Sequence, residues 1–128
     1  MTPQELSDRL WQFAARVAKV VDALPDNRVG RHVASQVFRS GIAAAPNYDE
    51  TRSGESRADF VRKINFALKE LVETRGWLKF IILAGLLSAR RVAVLVEECD
   101  QLCRILGKSI ATARAGKKPH FPMTNNRF

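Results

Sequence analysis

The chain has 128 residues, 46% apolar and 27% charged, values that fit one folded domain around a single core and exclude a disordered chain. Its longest uncharged run, residues 80–89, falls well short of the ~20 residues a membrane span needs, and Glu5, Asp8 and Arg9 interrupt any N-terminal signal sequence. A cytoplasmic protein with no membrane partner is the expectation.

The net charge of +8 is lopsided. Residues 101–128 hold six bases (Arg104, Lys108, Arg114, Lys117, Lys118 and Arg127) and no acid, a local charge of +6. The first hundred residues are nearly balanced at +2. An anionic partner, nucleic acid first, accounts for such a segment. So does a plainer reading, in which the cations favour a helix C-terminus and solubilise a tail.

In chain order, Thr2-Pro3-Gln4-Glu5 reads as a helix start with a capping box. Leu6, Leu10, Phe13, Val17, Val20 and Leu24 then recur at steps of four and three, giving an apolar stripe that ends at Pro25. Asn27 is the next cap, opening a helix from about Arg28 through Val33, Val37, Phe38 and Ile42. Its lining is small (Ala34, Gly41, Ala43, Ala44, Ala45), which permits close approach to a neighbour. Pro46 is expected to bend this helix without ending it, with Asn47 and Glu50 satisfying the loosened turn.

Residues 51–56 form the clearest break, and Ser56 with Asp59 restarts a helix. Its stripe is Phe60, Ile64, Ala67, Leu71, Thr74, Leu78 and Ile81, and a second stripe of Val61, Leu68, Val72 and Ile82 widens the apolar face. Thr74 is the one polar member. Gly85-Leu86-Leu87-Ser88 connects to a last helix carrying Val92, Leu95, Cys99, Leu102, Leu106 and Ile110 and ending near Gly116. The expected fold is all-α: an antiparallel up-down-up-down four-helix bundle over residues 1–116, followed by a basic tail over 117–128, extended or mobile.

Chemistry is harder to find. A di-iron bundle needs Glu-x-x-His pairs facing inward, and Glu70, Glu73, Glu97 and Glu98 have no such histidine. Cys99 and Cys103 stand four apart with only His32 and His120 in the chain, a weak basis for a metal site and poor geometry for a mutual disulfide. No nucleophile–base spacing or phosphate loop is present, and Gly54-Glu55-Ser56 is a turn and cap. The reading is a protein that is not an enzyme, with no cofactor, no metal and no catalytic residue. Arg39, Ser40, Asn47, Glu50 and Glu70, with Arg75 as a further partner, form a candidate polar cluster. It serves either as a network fixing helix register or as a ligand contact.

The pattern Leu24-Pro25, Ser35-Gln36, Arg39-Ser40, Gly41-Ile42, Asn47-x-x-Glu50, then Glu55-Ser-Arg-Ala-Asp-Phe60, Ala67-Leu-Lys-Glu70 and Glu73-Thr-Arg-Gly-Trp-Leu78 resembles a known family. These are small bacterial four-helix bundle proteins first noticed as products of intervening sequences in large-subunit ribosomal RNA genes. The resemblance covers about residues 6–115. Gly41, Thr51 and Gly76 stand where that family has Ser, Gly and Tyr, and Pro46 lies further from Ile42 than its proline does. The resemblance implies a homopentamer with a central channel. It also extends to the accessory variability protein of diversity-generating retroelements, a basic pentamer that binds reverse transcriptase and nucleic acid. The functional expectation is an oligomer that binds nucleic-acid backbone through Arg104, Lys108, Arg114, Lys117 and Lys118. The alternative is a protein-interaction scaffold, for example an accessory subunit of a reverse transcriptase.

Overall fold

The computed structural model describes residues 1–52 and 56–116, and these are helical apart from short connections. Four helices follow in order: α1 (Pro3–Ala23), α2 (Arg28–Thr51), α3 (Arg57–Leu83) and α4 (Ala89–Arg114). Each spans ~30–40 Å at 1.5 Å per residue.

Every helix begins on the cap its sequence offers. Thr2 Oγ1 accepts from the Glu5 amide at 3.1 Å while a Glu5 carboxylate oxygen accepts from the Thr2 amide at 3.3 Å, a complete capping box. Asn27, Ser56 and Ser88 each accept from the amide three residues on. Gly85 (φ 68°) and Gly116 (φ 76°) take the left-handed conformation that ends α3 and α4 at little cost to a residue without a β-carbon.

Pro46 lies inside α2, which continues to Thr51. The proline is exposed and leaves the Ile42 carbonyl without its helical donor. At the end of the helix the Thr51 hydroxyl donates to the Tyr48 carbonyl at 2.6 Å.

The apolar stripes meet in one core. All seven members of the first α3 stripe, Phe60 to Ile81, are buried, as are the α1 stripe from Leu6 to Val20 and the α4 stripe from Val92 to Ile110. The second α3 stripe is half-buried, and Val72 is 44% exposed. Consecutive helices pack against one another, and α1 also touches α4, which closes the ring; that pairing is the thinnest of the four.

Helices α1 and α2 come into close contact at Gly41. A β-carbon placed on Gly41 would sit 2.6 Å from Val17 Cγ1, well inside van der Waals contact. Val17 is fully buried and β-branched, so it has little freedom to move aside. Glycine here permits the contact, which explains why a serine does not occupy the position. Gly76 is the opposite case: a β-carbon there meets nothing within 4 Å.

Candidate functional site

The C-terminal part of α4 carries the candidate phosphate-binding residues. Arg104 and Lys108 stand one turn apart, so they share a side of the helix, and both are exposed. Arg114 lies in the last turn, where the helix dipole favours a cation. None of the three forms an ion pair among the described residues. Lys117 and Lys118 lie outside the described residues. The structure adds a cation that sequence reasoning missed: Arg57, the first residue of α3, places Nη1 3.7 Å from where a β-carbon of Gly116 would sit. No local signal marks Arg57 for this role; only packing brings it to the end of α4.

The polar cluster divides. Arg39 pairs with Glu70 at 3.3 Å and with Glu73, joining α2 to α3 on the surface. Beneath them, fully buried Thr74 Oγ1 lies 2.8 Å from Ser40 Oγ and 2.7 Å from the Glu70 carbonyl. With its single hydrogen given to the carbonyl, Thr74 accepts from Ser40, and both hydroxyls are satisfied. Asn47 sits about two turns, and Glu50 about three turns, further along α2. Asn47 is half-buried with no hydrogen bond to the others, and the Glu50 carbonyl accepts from Lys63 Nζ at 3.5 Å. Arg75 does not join this cluster. It points to the other neighbour of α3 and pairs with Asp100 of α4 at 2.8 Å, because residues 74 and 75 project about 100° apart around a helix.

Two further polar seams have no counterpart in the sequence reading. The Asp49 carboxylate accepts from the Ser7 hydroxyl at 2.6 Å and from Trp11 Nε1 at 2.9 Å, tying the end of α2 to the start of α1. Arg9 donates from Nε and Nη2 to the two oxygens of Glu98, at 2.7 and 2.8 Å, and from Nη2 to Gln101 at 2.6 Å, bridging α1 to α4. Partners 42 and 89 residues apart leave no local signature.

Cys99 and Cys103 are both buried and free. The Cys99 thiol donates to the Leu71 carbonyl at 3.1 Å. Interaction with the neighbouring Cys103 sulfur, and burial, push that thiol well above the ordinary range. A protonated, enclosed thiol is a poor nucleophile and a poor metal ligand. Among the described residues, no three His, Cys, Asp or Glu side chains gather as a metal ion requires.

On the α2–α3 side, an aromatic groove opens at the start of α2. His32 meets Trp77 edge-on with ring centres 6.0 Å apart, and Trp77 meets Phe80 likewise at 5.9 Å. With Val29 and Val33 they line a concavity of about 530 Å³. Phe80 and Val29 are 39% and 48% exposed, so this is accessible apolar surface.

The fold and these surfaces define an all-α four-helix protein with a polar surface seam on either side of α1, an exposed aromatic groove and a cationic end. The chain belongs to the 23S rRNA-intervening sequence protein family, whose model matches residues 5–108. It is similar to a solved structure described as a protein of unknown function from the S23 ribosomal protein family of Bacteroides thetaiotaomicron VPI-5482. The two are 28% identical with a TM-score of 0.77, over 82% of this chain and 97% of that one. No curated protein matches the chain.

Proposed function

We propose that this chain is a non-enzymatic, cytoplasmic protein that binds nucleic-acid backbone as a homo-oligomer, with the pentamer as its assembly. The observation that carries the reading is the segregation of charge. The segment from residue 101 onward is purely cationic, and Arg104, Lys108 and Arg114 stand exposed and outside the ion pairs that neutralise Arg9, Arg39 and Arg75. Such cations contact phosphates without reading bases. Binding measured over a range of salt tests it. Five contacts on duplex DNA give a slope of log K against log salt of about −4.5, since each neutralised phosphate contributes about −0.9. Absence of binding at low salt, or affinity flat with salt, overturns the proposal.

Each protomer is proposed to run as an up-down-up-down antiparallel bundle. Ser7 pairs with Asp49 and Val17 neighbours Gly41, so rising numbers in α1 meet falling numbers in α2. Lys63 against Glu50 and Thr74 against Ser40 support the same course for α3. The half-buried second stripe of α3 and the aromatic groove offer apolar surface for assembly. Light scattering that returns a monomer at micromolar concentration contradicts the pentamer.

The aromatic groove also favours a second reading, a scaffold whose partner is a polypeptide such as a reverse transcriptase. Under it, charge reversal at Arg104, Lys108 and Arg114 leaves partner capture intact while Trp77→Ser abolishes it. Under nucleic-acid binding the two variants behave the other way round.

A further inference from the structure

The seam between α1 and α4 is held at one level and open at another. Arg9 of α1 is neutralised by Glu98 of α4 through two hydrogen bonds. Seven residues make about two helical turns and return to almost the same side of a helix. Two turns on from Arg9 in α1 stands Arg16, and two turns back from Glu98 in α4 stands Arg91. The register that sets a cation against an anion at the first level therefore sets a cation against a cation at the second. Both arginines line one cleft of about 220 Å³, together with Lys19, Val20 and Leu95.

No ion pair within the described residues neutralises this charge. Arg16, Lys19 and Arg91 are exposed, and none forms an ion pair there. Arg90 and Arg91 both occupy the first turn of α4, which holds no acidic residue, so the positive end of the helix dipole adds to the field. Two arginines facing across a seam repel, and the arrangement is relieved by an anion between them. Guanidinium groups hydrogen-bond phosphoryl oxygens in a planar, two-pronged fashion, with which the ammonium of Lys19 combines as a point charge.

We infer that the α1–α4 cleft formed by Arg16, Lys19 and Arg91 is a binding site for a phosphoryl group. It lies about 20 Å along α4 from Arg104, at 1.5 Å per residue, and so is separate from the C-terminal cations. The inference rests on the nucleic-acid reading only for the source of the phosphoryl group, which is either a polynucleotide backbone or a free phosphate compound.

Two probes and two variants separate the sources. Pyrophosphate and a labelled single-stranded RNA oligonucleotide are titrated against the full chain, R16Q/K19Q/R91Q and R104Q/K108Q/R114Q. Glutamine retains helix propensity, and a thermal melt of each variant checks the fold. The cleft variant is expected to lose pyrophosphate affinity about tenfold or more, and to lower the RNA salt slope by about 2, three contacts at about 0.7 each. The C-terminal variant leaves pyrophosphate binding unchanged. Pyrophosphate held in the cleft with no RNA bound supports the site and sinks the nucleic-acid proposal. A lowered RNA slope without pyrophosphate binding supports it with the backbone as source. RNA binding whose slope ignores the cleft variant, with no cleft-dependent pyrophosphate binding, overturns the inference and leaves the nucleic-acid proposal standing. Neither probe binding overturns both.

Discussion

Helix α1 has two neighbours and meets them in opposite ways. Against α2 it packs until Val17 fills the space a side chain at residue 41 would need, and Ser7 and Trp11 clamp Asp49 more than two turns away along the same pair. Against α4 the pairing is thin, bridged by Arg9 and Glu98 and then open at Arg16 and Arg91. Where Val17 meets Gly41 there is no slack, so any added volume becomes strain. A seam of long charged side chains keeps its heads hydrated and can exchange that water for a ligand. One side of α1 is tightly packed, and the other is the side on which the proposed phosphoryl site lies.

The largest test of that contrast is Gly41→Ser, which restores the side chain that the family pattern carries. Overpacking against Val17 should destabilise the fold by about 2–3 kcal/mol in urea unfolding, and an unchanged midpoint would show that the seam has slack after all. Next is Asp49→Ala. It leaves the Ser7 hydroxyl, which is only 3% exposed, without its acceptor, and should remove about 1–2 kcal/mol. Gly76→Ala sharpens the point by adding a β-carbon in open space: here helix propensity alone acts, and stability should rise by about 1 kcal/mol. On the α4 side, a double-mutant cycle on Arg9 and Glu98 should return a coupling of only about 0.5–1 kcal/mol that shrinks with salt. A coupling larger than the Asp49→Ala loss would reverse the ranking of the two seams.

The smallest effect at neutral pH belongs to Tyr48, beside Asp49. Its ring is fully buried and its hydroxyl has no hydrogen-bond partner among the described residues, so Tyr48→Phe should stay within about 0.5 kcal/mol of the parent or gain slightly. Burial raises the phenol above its ordinary value near 10. The folded state thus resists ionisation that the unfolded state allows. The parent's stability relative to Tyr48→Phe should hold below about pH 10 and fall as pH rises beyond it. Parallel alkaline unfolding curves for the two proteins would contradict that.

Parts of the candidate site are legible in the sequence. The charge asymmetry along α4 is a property of composition, and Arg104 and Lys108 share a face because their spacing is one turn. Arg39 with Glu70 joins two members of the candidate polar cluster, and Ser40 pairs with Thr74, the one polar member of its stripe. Closeness to Pro46 along the chain groups Asn47 and Glu50 with them, yet about two to three turns of helix separate them in space. The same grouping misplaces Arg75, because a single step around the helix moves a side chain from the α2 side to the α4 side.

Helix number, helix limits and the face each turns inward were determined by the sequence alone. Caps, glycines and the 3.6-residue period act within a few residues of themselves, so they can be read locally. Which polar groups meet around α1, and at the end of α4, was decided only by the tertiary structure. Asp49 with Ser7, Arg9 with Glu98, Arg57 beside Gly116, and Arg16 opposite Arg91 each depend on how far one helix slides and turns against another. Apolar stripes tolerate several such offsets, because burial is non-directional. The offset adopted here sets Val17 against Gly41, where a side chain on residue 41 would have no room.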